Sequence, residues 1–288
     1  MINKLKYYYN LNKPYIIKYK NKNYIKSENK LYLLYEIDKK RNKQEIIEAY
    51  ELTKKYPEYD KIILNKNNTI FTIIDGKIYI LIKKNYSKKN KIQNRIINKE
   101  TKWLDKSNWI TLWEDKIDYI EKIYKNIKGN YSVIDESINY IIGMAEVAIC
   151  CLVNNSTESK ERNLKYICRK NYDESEYYNP LNVIIDYPER EISEMLKKIF
   201  WDTESKNENA IQYLKQITLN YDPVCVYARL LFPNFYLNEY INSIKYQNVK
   251  KIRNIISRLN EYEQYTKLIY NILKEREKGK TIPKINWL

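Results

Sequence analysis

Two hydrophobic periods divide the chain. Through about the first 84 residues, apolar side chains come in short runs that favour every second position. These runs are YIIKYKNKNYIKS from Tyr15, KLYLLYEID from Lys30, KIILN from Lys61, TIFTIIDG from Thr69 and KIYILIKK from Lys77. Asn and Lys turns separate them, so the whole stretch from Tyr7 to Asp38 reads as strands, and Asp75-Gly76 marks a tight hairpin between two of the later ones. One segment breaks the alternation. Asn42–Tyr56 places Ile46, Ile47, Tyr50 and Leu52 on a helical face, and Pro57 stops it. Strands, one helix and more strands predict a small α+β lobe.

Beyond residue 100 the period lengthens to three and four. Trp109–Lys128 carries Trp113, Ile117, Ile120, Tyr124 and Ile127 as one stripe, and Asp135–Val153 is apolar enough to be a central helix. Two short strands are expected next, LKYIC at 164–168 and the apolar run Val183–Ile185 that ends in Asp186. Tyr187 and Pro188 end the second strand. A helix then opens with Glu189 and Glu191 in its first turn, followed by Ile192, Met195, Leu196, Ile199 and Phe200. Further helices are expected at 206–220, 223–231, 236–245 and, as one long element, 249–274, with the tail IPKINWL docking. The segment Lys83–Lys99 holds six lysines, one arginine and no acid. It reads as a linker, which gives a β-rich domain at 1–84, a basic linker at 85–100 and a helical domain at 101–288.

Charge adds a second asymmetry. The net charge is +16, and residues 1–100 hold 24 basic and 10 acidic side chains. Such a basic third attracts polyanions, with Lys83, Lys84, Lys88, Lys89, Lys91 and Arg95 as the candidate contacts for nucleic acid or another polyanion. The chain has no histidine, which excludes Ser-His and Cys-His triads and HExxH metal sites. Four glycines leave no P-loop or GxGxxG fingerprint. Cys150, Cys151, Cys168 and Cys225 show no ligand spacing and read as reduced core thiols, with one of the adjacent pair facing outward. The start MINKLKYYYN lacks a signal peptide's apolar run, and no stretch of about 18 uninterrupted apolar residues occurs. The expectation is a cytoplasmic protein without a membrane span. Heavy use of Ile, Lys, Asn and Tyr, with 31 tyrosines, matches AT-rich codons.

Several stretches, in order, carry a family resemblance. IDESINYIIGMAEVAICCLV resembles the central ES-x-x-Y-x-x-G-x-A-E-x-A-I helix of the CotS/YutH-type spore coat proteins. VIIDYPEREISEML is similar to their DxPxRDxAEW segment, VCVYARLLFPNFYLNEY to their ARLLFP helix, and IPKINWL to the tail of clostridial members. The likeness covers most of residues 60–288. It implies a two-lobed protein-kinase-like fold of the aminoglycoside/choline phosphotransferase branch, with a small β-rich N-lobe and a mostly helical C-lobe. It also implies synthesis in the mother-cell cytoplasm, a place in the endospore coat, and other coat proteins as partners.

The same resemblance implies what the chemistry lacks. Active members of the superfamily carry LCHGD, whose Asp accepts the proton of the attacking hydroxyl. The matching stretch here is ICRKN, with Arg169, Lys170 and Asn171 in place of His, Gly and Asp. An amide takes no proton near neutral pH, and loss of a general base costs about 10²–10⁴ in rate. Glu176 stands nearest by count to the family's metal-binding Asn, and Tyr35 or a neighbour falls where the phosphate-holding lysine is expected, with Lys18 and Lys83 as the lysines that could reach inward. Asp186 matches the second metal-ligand Asp and is the candidate metal position. The expectation is a non-catalytic structural protein with no working cofactor; the alternative is a divergent small-molecule phosphotransferase using ATP and magnesium, with Asp186 as metal ligand and Lys170 or Asn171 orienting the acceptor.

Overall fold

The structure, a computed structural model, describes residues 1–19, 22–38, 41–85, 95–97, 101–155, 164–218, 220–275 and 282. The chain packs as two units. The first is 1–105 with 167–185, and the second is 106–166 with 186–288. This differs from the expected division at 84 and 100. The reason is burial: Ile167, Leu181, Val183 and Ile185 lie in cores of the first unit.

The first unit is built on an antiparallel sheet. It contains β1 (Tyr15–Tyr19), β2 (Lys22–Ser27), β3 (Lys30–Ile37), β4 (Lys61–Ile63), β5 (Thr72–Ile74) and β6 (Lys77–Lys83), in the order β1-β2-β3-β6-β4 with β5 also on β6. Alternation decides its two faces. Tyr32, Leu34, Tyr79 and Leu81 turn to one side, where they meet Leu5 and Tyr9 of α1 (Ile2–Tyr9). Leu33, Ile37, Ile80 and Ile82 turn to the other and meet Ile46 of α2 (Lys43–Thr53). The hairpin at Asp75-Gly76 forms as expected, with positive φ at both residues (52° and 76°) and Ile74 paired to Lys77. Helix α1 corrects the strand reading at Tyr7–Tyr9. Leu5 and Tyr9 sit four residues apart on one side of a helix, and Asn10 ends it in the left-handed region at φ 49°. A smaller sheet joins β7 (Ile96–Ile97), β8 (Lys165–Arg169) and β9 (Val183–Asp186). Its side chains Ile167, Val183 and Ile185 pack with Ala49, Leu52, Tyr59 and Leu104.

The second unit is helical. Its elements are α3 (Trp109–Lys125), α4 (Ser132–Asn155), α5 (Pro188–Asp202), α6 (Lys206–Gln216), α7 (Pro223–Leu231), α8 (Asn234–Tyr246), α9 (Lys250–Ile256) and α10 (Leu259–Lys274). Residues 132–154 have the length and mean hydropathy of a bilayer-crossing helix. In the fold α4 is a core helix: Ile134, Ile138, Ile141, Met144, Ala145 and Ala148 are fully enclosed, and α3, α7, α8 and α9 pack on it. The helix expected at 249–274 is two. Ser257 turns its hydroxyl back to the Asn254 carbonyl at 2.9 Å. Arg258 meanwhile donates to the Phe200 carbonyl and lies over the rings of Phe200 and Trp201. Of the terminal segment only Ile282 is described, and it is buried in this core.

Candidate functional site

The degenerate catalytic-loop positions belong to the first unit. Strand β8 ends at Arg169, and the chain returns to β9 through a loop of two single 3₁₀ turns, Glu174–Glu176 and Pro180–Asn182. The buried Asn182 organises this loop. Its Oδ1 accepts from the Asn171 backbone N–H at 2.9 Å, and its Nδ2 donates to the carbonyls of Asn171 (2.8 Å) and Glu176 (3.0 Å). Asn171 is exposed, and its own Oδ1 accepts the Asp173 N–H at 2.9 Å. Asp173 and Asn179 cap the two 3₁₀ turns in the same way. Lys170 pairs with Glu45 on α2, and Arg169 stacks 4.6 Å over Tyr177. Glu176 is taken by Lys22 and by the Asn179 amide. Side chains at the loop are thus engaged in holding the loop.

No lysine occupies the expected phosphate-holding position. Tyr35 on β3 accepts from Arg41 Nη1 at 3.0 Å, and Arg41 Nη2 donates to the Leu181 carbonyl at 3.1 Å. Lys18 is exposed on β1, and Lys83 ends β6 opposite Tyr32 and Lys61. Of the candidate polyanion contacts, Lys84 is ion-paired with the fully buried Asp60 at 2.5 Å. Arg95 pairs with Glu58 at 2.9 Å and lies over Tyr56. Lys88, Lys89 and Lys91 lie outside the described residues.

Asp186 opens the second unit, where Pro188 starts α5 with its φ already helical. The carboxylate is fully enclosed. Its Oδ1 accepts from Trp109 Nε1 at 2.7 Å and from the Tyr187 N–H at 2.8 Å. Its Oδ2 takes Arg190 Nη1 at 3.2 Å, one helical turn on. Burial pushes its pKa up and so favours the protonated acid, against the pull of Arg229, Arg190 and the two N–H donors. A magnesium ligand needs ionised oxygens turned to the ion. These oxygens are turned to protein donors, so the position does not fit a metal. Among the described residues no group of three or more Cys, Asp or Glu is placed to hold one.

A charge network extends from this acid. Arg229, which the sequence suggests pairs with a buried acid, contacts Glu194 at 3.3 Å and lies 4.6 Å over Trp109. Glu194 is also 3.7 Å from Lys197, whose ammonium donates to the Phe232 carbonyl at 3.0 Å. Burial resists ionisation of Glu194, yet Lys197, Arg229 and Arg190 together bring it down to about 2. Burial lowers Lys197 to about 8 despite Glu194. Lys116 on α3 reaches Asn234 and Asn238 on α8 and is lowered to about 8 by burial and by Lys197. Sequence reasoning marked Asp186 but not Trp109 as its partner. The available signal was an indole at the start of a helix, beyond what spacing alone connects.

A family model described as "Spore coat putative kinase YutH" matches residues 2–275. The chain belongs to that family. Solved structures agree on the fold of this spore coat family member. An aminoglycoside phosphotransferase from Alicyclobacillus acidocaldarius subsp. acidocaldarius DSM 446 is similar at TM-score 0.56 and 7% identity, over 91% of this chain and 92% of that one. Spectinomycin phosphotransferase in complex with ADP and spectinomycin is similar at TM-score 0.53 and 12% identity, over 93% and 96%. Its AMP-bound complex gives 0.54 and 11%, over 97% and 98%. At such identities the likeness shows the fold alone, the two-lobed kinase-like fold expected from the motifs. A search of curated proteins gives no match.

Proposed function

We propose that the protein is a kinase-like structural component of the endospore coat that transfers no phosphoryl group. It is made in the mother-cell cytoplasm and assembled with other coat proteins. The observation that carries this reading is Asp186, whose carboxylate is enclosed and committed to Trp109, Tyr187 and Arg190. The replacement of the catalytic-loop Asp by Asn171, with its amide oxygen held by Asp173, supports the same conclusion. Phosphoryl transfer rests on metal ions that neutralise developing charge and on a residue that orients the acceptor. Neither role has a free side chain at these positions. Polyanion contact through Lys83–Arg95 draws less support, since Lys84 and Arg95 already pair with Asp60 and Glu58.

The test is a thermal-shift titration of the full chain with ATP in the presence and absence of magnesium. A ligand that binds the native state raises its stability by RT ln(1 + [L]/Kd). No magnesium-dependent shift is expected, and no ATP turnover. A magnesium-dependent rise together with turnover that Asp186→Asn abolishes would overturn the reading in favour of a divergent phosphotransferase.

A further inference from the structure

The first unit's sheet ends at an edge that one of its faces leaves uncovered. Strand β1 closes the sheet order and, among the described residues, pairs with β2. A cross-strand row runs Ile17, Tyr24, Leu33, Ile82, Ile62. Leu33, Ile82 and Ile62 are buried in the α2-side core, whereas Ile17 is 38% exposed. Tyr15, on the same face of β1, is 50% exposed, and Tyr19 is 60% exposed. The apolar row therefore continues beyond the cover that α2 provides. In an antiparallel ladder every second residue of an edge strand directs its N–H and C=O away from its neighbour, a template for one more strand.

Charge selects the occupant. Residues 1–30 contain eight lysines and one glutamate. Lys18 is exposed on β1, and Lys26, paired across to Tyr15, is exposed on β2. A second copy of this edge would bring like charge against like, while an acidic segment complements it. We propose that β1 is a docking edge for an extended acidic segment of a partner protein. The segment adds as a further strand, with alternate apolar residues against Tyr15 and Ile17 on one face and carboxylates beside Lys18 on the other. Backbone hydrogen bonds supply affinity and the alternate side chains supply selectivity. This goes beyond the structural role above and holds whether or not the protein transfers phosphoryl groups.

The experiment uses the full chain and a fluorescein-labelled peptide of about ten residues alternating valine and glutamate, read by anisotropy. Binding is expected, weakening as salt rises. The same peptide N-methylated on alternate amides, and a valine–lysine counterpart, are expected not to bind. The double variant Tyr15→Glu/Ile17→Glu should weaken binding at least about tenfold with an unchanged melting temperature. If that variant unfolds, Tyr15→Ser/Ile17→Thr takes its place. Absence of binding, equal binding of the N-methylated peptide, or full affinity of the folded variant each overturns the proposal. So does a dimer in sedimentation that the variant abolishes, which would assign the edge to a second copy.

Discussion

The Trp109 indole donates its N–H to the Asp186 carboxylate at 2.7 Å, and the acid is completely enclosed. This bond joins the start of α3 to the end of β9. Asp186, the candidate metal position of the sequence, thereby serves as a structural anchor of the second unit.

Trp109→Phe keeps the ring but removes the donor, and should cost about 1–3 kcal/mol of stability. Asp186→Ala should cost more, about 3–5 kcal/mol, because the buried Trp109 indole loses its acceptor and the half-buried Arg190 loses this carboxylate. Urea denaturation midpoints measure both. A surface-like effect of Asp186→Ala, below about 0.5 kcal/mol, would contradict the anchor role.

Two lysines, the buried Lys197 and the half-buried Lys116, set a pH dependence. Lys116 and Lys197 are both lowered to about 8, by burial above all. Below pH 8 they are charged in the folded and unfolded chain alike, so the cost of enclosing them is fully present. As pH rises from 8 toward the ordinary lysine value, the folded state sheds protons that the unfolded chain keeps. Stability then rises, by up to about 1.4 kcal/mol per pH unit for each lysine. Burial raises the phenols of Tyr227, Tyr236, Tyr240, Tyr262 and Tyr265. Above pH 10 the unfolded chain therefore ionises first and stability falls. A maximum between about pH 9 and 10 is expected in denaturation curves, and Lys197→Met should flatten its rising side.

Lys61 closes the carboxyl end of α2. Its ammonium donates to the carbonyls of Tyr56 at 2.6 Å and Lys54 at 3.1 Å, the type of partner that helix ends need. Lys61→Met should cost about 1–2 kcal/mol. Hydrogen exchange should show faster exchange in the last turn of α2 and little change in the second unit.

The cysteines give a rapid check of the packing. Cys150 is exposed, while Cys151, Cys168 and Cys225 are buried. Burial, with the neighbouring Cys150, raises the Cys151 thiol to about 11. A thiol reagent should therefore react quickly with one equivalent in the native protein and with four in denaturant. More than one fast equivalent would contradict the orientation of α4.

How much of this was legible in the sequence follows from the range of each interaction. The strand runs at Lys30 and Lys77, the Asp75-Gly76 hairpin, α2, α3 and α7 rest on neighbours within a few residues, and all were expected from period and turn chemistry alone. The exclusion of histidine- and P-loop-based chemistry and the order of the family motifs were likewise fixed by composition and spacing. What the tertiary structure decided depends on contacts far apart in the chain. The start folds as α1 because Leu5 and Tyr9 find the sheet's buried face, and the last long helix breaks where Arg258 reaches Phe200. The segment 167–185 joins the first unit because Ile167 and Val183 meet Ala49 and Leu52. Above all, the sequence marked Asp186 as a carboxylate at a strand end. Only the packing that brings Trp109 to it, from 77 residues away, decided that its oxygens bind the protein itself.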